Sequence, residues 1–531
     1  MKAKLYAYLP ILFLSWSTTM VQAQPGTLDP TFNGSGYSVN PVSDLDAAQK
    51  ILVQDDQKVL LIGMSFNANY TARAYVLRYL PDGTPDTGFG INGVFSYQLD
   101  NEADIYSAVL TADGKILLAG ATTDYQTYRL LLIQLNTDGT LDNSFGTAGV
   151  AVQRVSEVAL NAEDIGYDVA LDAEQNILVS GSSTDTNYVR RPIVVRFTPS
   201  GELDTTFGVD GVATIPVLEV GGNSFQGVAV QPDGKIVASG YFANTELWYV
   251  MLLVRFDTNG VLDPTFGDAG IVKFNYGNVD DEGEDLVLMP DGSILVCGVT
   301  VTQTYNYSAL LAKFTPTGDL DSTFGTAGTV KEDLGMFDFA SNVSLMSDGT
   351  IIMAGSSGVG PPNGFDMAVW KYVADGSRDI TFGTDGVAQH QLDGYYAMIN
   401  AMEVQADGKI LIGGQARTFT NQNYFFVARL ENDVVSAVVE RSELTEATAF
   451  PNPSTAGTAV TVQFQGPIHH DARIDLYAAD GRLSGTYAAK QLQRTAQGII
   501  VPLAASLNTG IYRMTFQQTG THFTSNLVIT Q

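Results

Sequence analysis

The stretch GTLDPTFNGSG, Gly26 to Gly36, decides the fold. Its near copy LDPTFGDAG returns at Leu262 to Gly270, and five further variants lie elsewhere in the chain. Aligned on the phenylalanine, the motif recurs as Phe32, Phe89, Phe145, Phe207, Phe266, Phe324 and Phe382, every 56 to 62 residues. A second motif lies between the copies: DGKILLAG (113–120), DGKIVASG (233–240), DGSILVCG (291–298), DGTIIMAG (348–355) and DGKILIGG (407–414), with weaker forms at 56–63 and 174–181. A fixed period of this length inside one chain points to a solenoid or a propeller.

Each repeat reads as four short strands. An alternating run such as FQGVAVQ (225–231) precedes the Asp-Gly turn, and an apolar run, KIVASG, follows it. A third run, VMLLVRF (250–256), leads to a polar turn, and a fourth, IVKFNY (271–276), follows the last glycine of the LDxTFGxxG motif. Alternation, β-branched residues and dense Gly/Asp/Asn turns argue for strands. Four-stranded units repeated radially make a β-propeller. The residue after the phenylalanine is glycine in six copies and Asn33 in the first, the types that best tolerate a left-handed backbone. Pro41 and Pro216 fall on the expected outermost strand, where proline blocks further pairing.

The first copy has a fourth strand, about 36–42, and nothing to serve as its first three. The last repeat has three strands, about 396–430, and no LDxTFG after them. The fragments complete each other, so the expected fold is all-β: a seven-bladed β-propeller over 24–431, closed by the N-terminal strand. Asp29 is then expected to pair with Arg429, and Phe32 to pack into the seventh blade as Phe382 packs into the sixth. A linker, 432–446, and a small β-sandwich, 447–531, follow.

The chain opens with Lys2 and Lys4, an apolar Leu5–Trp16 stretch and small residues at Val21 and Ala23 before Gln24, the pattern of an export signal over 1–23. No later run approaches ~20 apolar residues, so no transmembrane segment is expected. One cysteine, Cys297, excludes a disulfide framework. The formal net charge of −29 falls on the body of the chain, since the leader and the 447–531 segment are each slightly basic. Such a body repels nucleic acid and anionic headgroups.

The repeats resemble the delta-60 repeats of exported bacterial proteins. The family's signatures appear as VQPDGKIVASG (230–240) and RFTPSGELDTTFGVDG (196–211). This resemblance covers about 28–431 and implies a propeller-like fold without a known activity. From Ala447 the chain resembles the type A C-terminal sorting domain of the type IX secretion system. The elements that carry this are Phe450, Pro451, Asn452 and Pro453, then Asp480, Gly481 and Arg482, then Gly510, Tyr512 and Met514. Where that family usually has lysines before its last strand, this chain has Ser525 and Asn526. The resemblance implies type IX secretion machinery as a partner, removal of the domain, and a place outside a Gram-negative cell, secreted or on the outer-membrane surface.

Candidate chemistry is sparse. A basic residue closes the third strand in six repeats (Arg78, Arg196, Arg255, Lys313, Lys371, Arg429; Gln134 in the other) and an Asp follows in the next turn. A pair repeated through nearly all the units reads as structural, semi-exposed and weak. Cys297 stands where other repeats carry small residues, and reads as a buried filler. With His390 the one histidine of the repeats, His/Cys metal sites and His-assisted triads are excluded. No cofactor is implied. The acidic VDDEGED (279–285) offers oxygen ligands of the kind Ca²⁺ takes, but lacks the Asp-x-Asp-x-Asp-Gly spacing and reads as a solvated turn.

The connections between strands two and three vary most, and chain alternation gathers them on one face. They carry Tyr70, Tyr125, Tyr188, Trp248, Tyr305, Phe365 and Tyr424 among Asn, Thr and Gln. Aromatic rings beside amides and hydroxyls suit a glycan or a protein. The expectation is a monomeric, non-enzymatic recognition module outside the cell. The alternatives are a carbohydrate-active enzyme using Asp/Glu in the central depression, and an architectural envelope protein without a ligand.

Overall fold

The computed structural model describes residues 24–432, except 44, 68, 70, 100, 101, 157, 159, 217–221, 247, 278 and 361–363. It also describes the strands between 448 and 530 with a few flanking residues. The leader 1–23, nearly all of the 432–446 linker and Tyr70 lie outside the described residues. The repeats and the C-terminal segment form two compact units. No helix among the described residues is long and apolar enough to cross a membrane.

The repeat at 224–274 shows how sequence becomes structure. Ser224–Val230, Ile236–Ala243, Tyr249–Phe256 and Ile271–Phe274 pair antiparallel in chain order. The second strand lies between two others and is covered on both faces, so it reads as an unbroken apolar and small-residue run. Ile116–Thr123 and Ile294–Val301, its counterparts, are buried at every residue. The fourth strand is three or four residues long in every unit, which leaves little edge for another chain to pair with. Pro41 directly follows one of these, Tyr37–Asn40.

Six such units are contiguous in sequence, within 45–97, 102–153, 165–214, 224–274, 281–332 and 337–390. Another is assembled from both ends of the repeat region: Tyr395–Val404, Ile410–Thr418 and Asn423–Leu430 pair in order. Tyr37–Asn40 then adds antiparallel to Asn423–Leu430, with Tyr37 opposite Ala428.

Neighbouring units are joined by a repeated bond. The residue after each motif phenylalanine has φ of 49–56°. Its amide donates to a carbonyl in the third-to-fourth-strand turn of the next unit: Gly90 to Asp138 (2.8 Å), Gly146 to Ser200 (2.8 Å), Gly208 to Asn259 (2.7 Å), Gly267 to Thr317 (2.8 Å) and Gly325 to Asp375 (2.7 Å). Asn33 does the same to Asp82 (2.6 Å) and Gly383 to Pro25 (2.9 Å). Pro25 and Gly26 therefore stand where the other units have a turn of their own.

The repeated ion pair is half-buried at Arg196–Asp204 and Lys313–Asp321, as expected, but lies deeper in two other units. Arg255 donates to Asp263 (2.8 Å) and to the Pro316 carbonyl of the next unit (2.7 Å), with its guanidinium 4.5 Å from the Phe266 ring centre. Both partners are only 6% exposed rather than semi-exposed, because the ring covers one side and the next unit's turn the other. Lys235, from the Asp-Gly-Lys turn, adds a second cation 3.0 Å from Asp263. Lys115 does this for Asp142 (2.9 Å), where Gln134 replaces the arginine. At the junction of the chain ends, Asp29 accepts from Arg429 (2.7 Å) and Lys409 (2.6 Å). Arg429 also reaches the Pro81 carbonyl (2.6 Å) and lies 4.8 Å over Phe32. Phe32 is fully buried between Leu411, Phe425 and Val427 on one side and Val59, Leu61 and Leu77 on the other. Burying such a ring stabilises by roughly 1.5–3 kcal/mol.

The C-terminal unit has two sheets. One joins Thr448–Phe450, Ala459–Gln463, Gly498–Pro502 and Gln493–Thr495. The other joins Ser454–Thr455, Thr521–Thr530, Gly510–Gln518, Arg473–Ala478 and Leu483–Ala488. Val460, Ile474, Leu476, Val501 and Met514 are buried. The expected Asp480-Gly481 turn lies outside the described residues.

Candidate functional site

The first strand of every unit carries a β-bulge, and a motif glycine makes it possible. The last glycine of DGxILxxG (Gly63, Gly120, Gly181, Gly240, Gly298, Gly355, Gly414) faces the residue just before the bulge. A Cβ there would sit 1.8–2.1 Å from a carbonyl oxygen of the first strand. At Gly298 the distance is 1.9 Å, to Glu282. Gly298→Ala is expected to destabilise the chain by about 1–3 kcal/mol in a denaturant titration, since backbone must shift.

A bulge adds one residue, kinks the strand and re-aims a side chain. The extra residues are Gln49, Tyr106, Tyr167 and Gln226 in the first four units. They are Glu284, Ser341 and Asn400 in the last three. All of them line one cavity of about 360 Å³. The position repeats while the side chain changes, so the scaffold is periodic and the lining is specific. None of these residues was expected as a site. An interior glycine in a strand-like run is the signal that marks a bulge or a close backbone approach.

Residues at or just past the bulges tie neighbouring first strands together. Asp168 accepts from Ser107 Oγ (2.7 Å) and the Val228 amide (3.0 Å). Asp285 accepts from the amides of Leu286 (2.8 Å) and Val343 (2.9 Å). Asn400 donates to the Ala48 carbonyl (2.9 Å), and Ser341 to that of Ile399 (2.7 Å). Burial opposes the charge of Lys50, but Asp168, Asp285 and Glu403 hold it above its ordinary range. Burial pushes Glu284 up to about 7, with Asp285 adding to the rise. It pushes Asp285 up to about 6, although Lys50 works against the rise.

The loop residues divide. Tyr125, Tyr188 and Tyr305 are 68, 62 and 61% exposed. Trp248, Phe365 and Tyr424 are half-buried, with Phe365 6.0 Å from Phe339 and Tyr424 donating to Gln422 (3.1 Å). The three exposed tyrosines have φ of 68, 61 and 57°, a conformation costly for a bulky residue. Around Tyr305 the amide bonds to Thr302 (2.8 Å) and Thr302 bonds to Asn306 (3.0 Å). At the opposite end of the same unit, Met289 to Ser293 forms the same frame with Gly292 at 84°. Glycine fills the strained position at one end and tyrosine at the other.

The acidic stretch 279–285 is not a solvated turn. It enters the strand Asp281–Leu288, and buried Asp281 accepts from the amides of Tyr276 (2.8 Å) and Gly277 (3.1 Å). The incoming connection has unpaired amides, and a carboxylate at the strand start satisfies them; Asp46, Asp164 and Asp338 do the same elsewhere. Among the described residues, no group of three or more His, Cys, Asp or Glu is placed to hold a metal. Cys297 is fully buried in an apolar cluster, which pushes its thiol well up. His390 Nε2 lies 2.6 Å from the Gly26 carbonyl.

Six stretches match the family model described as a domain of unknown function (DUF5122) beta-propeller: residues 54–89, 111–145, 176–207, 231–266, 290–324 and 405–433. The first five end on motif phenylalanines. The chain is a β-propeller repeat protein. No curated protein matches the sequence. A protein of unknown function from Dyadobacter fermentans DSM 18053 is similar in structure, with 12% identity and a TM-score of 0.41, over 75% of this chain and 98% of that one. The beta-propeller domain of the Trilobed protease from Pyrococcus furiosus aligns with 10% identity and a TM-score of 0.35, over 74% and 99%.

Proposed function

We propose that the chain is a seven-bladed propeller closed by its N-terminal strand, exported from a Gram-negative cell, and acting outside it to recognise a glycan or a protein. The recognition face is the end of the units that carries the second-to-third-strand loops. One observation carries this reading: Tyr125, Tyr188 and Tyr305 hold a strained backbone while their rings stay in solvent. Such strain persists where function, rather than packing, selects the residue. Closure is supported by the pairing of Tyr37–Asn40 with Asn423–Leu430 and by the Gly383–Pro25 and Asn33–Asp82 bonds.

The combined variant Tyr125→Asn, Tyr188→Asn and Tyr305→Asn tests the face. Binding to a panel of glycans and purified envelope components is expected to fall at least tenfold, roughly 1.4 kcal/mol or more. The melting temperature is expected to rise, because asparagine tolerates the left-handed region. Unchanged binding rejects the loop face as the site.

Export rests on the leader and on the resemblance of 447–531 to a sorting domain. Deleting 447–531 is expected to leave the repeats folded and retained in the periplasm. Normal levels of the truncated protein in the culture medium would refute the address. A carbohydrate-active enzyme is a second reading, favoured by Glu284, whose carboxyl is raised to about 7 beside Asp285 in the central cavity. A group with that affinity for a proton suits general acid catalysis at neutral pH.

A further inference from the structure

We propose that the central cavity is a separate binding site for one or two sugar rings, neutral or amino-substituted, and that it excludes acidic sugars. The proposal rests on the closed ring and not on the loop-face reading. Its volume of about 360 Å³ suits a ligand of that size.

The chemistry of the wall gives the class. Asp168, Asp285, Ser341 and Asn400 already hold neighbouring strands. Gln49, Tyr106, Glu284 and Asn342 also line the cavity and take no part in those ties. Amides that both donate and accept, a carboxyl and a phenol, set around one small space, match the alternating donors and acceptors of vicinal hydroxyls. Tyr106 and Tyr167 supply apolar ring surface, with centres 5.3 Å apart and planes tilted by 58°.

Charge decides between sugars. The cation facing the cavity, Lys50, is offset by Asp168, Glu284 and Asp285. A uronate or a sulfated sugar would meet uncompensated carboxylates in a site of low effective dielectric. A hydroxyl or an ammonium group would not.

The test is calorimetric titration of the full chain at pH 7.5 with glucose, galactose, glucosamine, N-acetylglucosamine, glucuronate and the β-linked disaccharides of these. At least one neutral or amino sugar is expected to bind with a Kd of about 1 mM or tighter. Gln49→Ala and Asn342→Ala are each expected to weaken it at least about tenfold, with thermal melts confirming the fold. Glucuronate is expected to bind at least about tenfold more weakly than the matching neutral sugar. The Tyr125/Tyr188/Tyr305 variant is expected to keep the binding that Gln49→Ala and Asn342→Ala remove, which separates this site from the loop face. Absence of any sugar binding, binding that survives both cavity variants in folded protein, or a preference for glucuronate overturns the proposal.

Discussion

Deleting residues 24–43 is expected to lower the melting temperature sharply and to make the chain associate. Three losses coincide at one junction. Asn423–Leu430 loses its outer partner Tyr37–Asn40 and becomes an open edge. Arg429 and Lys409 lose Asp29, on which both converge. Removing one partner of a buried ion pair costs about 3–5 kcal/mol, because the other charge stays buried; here that charge is Arg429, while Lys409 keeps Glu431 (2.9 Å). The cavity left by Phe32 costs about the same order as a Phe→Ala change, ~3–5 kcal/mol. These terms share a site and do not add, but either alone is a large part of a typical stability. Asp29→Ala and Phe32→Ala separate them without removing the strand. Thermal melts with light scattering provide the measurement. An unchanged melting temperature and a monodisperse monomer after the deletion would remove the argument for closure.

The chain is also expected to be more stable at pH 5 than at pH 8. Burial, with Glu284 and Asp280 nearby, pushes Glu282 up to about 8, and burial with Glu102 pushes Asp104 up to about 7. Glu284 and Asp285 add their raised values of about 7 and about 6. Each of these carboxyls binds a proton more tightly in the folded chain than in the unfolded one. Between their unfolded values near 4 and their folded values, the native state therefore holds more protons, and stability falls as pH rises. The repeated ion pairs act oppositely and lower down. Burial opposes the charge of Asp29, but Lys409, Thr31 and Arg429 hold its carboxyl well below the usual range. Its contribution is complete above pH ~4 and fades only as pH falls through the folded value. Stability should therefore peak near pH 5. Scanning calorimetry should show a melting temperature lower by at least about 3 °C at pH 8. Self-repulsion of the acidic body acts in the same direction, so Glu284→Gln is the control: it should flatten part of the slope. A melting temperature that is flat or rising between pH 5 and pH 8 would contradict the assignment.

Much of the fold was legible in the sequence because its determinants are local and repeated. The period of Phe32 through Phe382 marks the units, and the Asp-Gly turns mark the strands. The missing halves at 36–42 and 396–430 point to each other by arithmetic alone. Even the partner of Arg429 follows from its place in the repeat, since Asp29 occupies the position held by Asp263 beside Arg255. The depth of the Arg255–Asp263 pair is not legible in the sequence, because what covers Arg255 is a turn about 60 residues onward.

The cavity was decided by tertiary structure. Strict alternation assigns side chains to faces in steps of two, and one extra residue reverses the assignment beyond it. Gln49 and Glu284 therefore point where simple alternation does not put them. The glycines that permit the bulges were visible in the sequence, but their effect needs the first-strand carbonyl that only pairing brings within 2.1 Å of where a Cβ would sit. The cavity then needs the first strands of all the units at once, each about 60 residues from the next. The sequence by itself determined the units, their turns and the residues that join the chain ends. Which polar side chains share a space, and with what charge around them, depends on distances between units far apart in the chain, which the local physics of a strand does not encode.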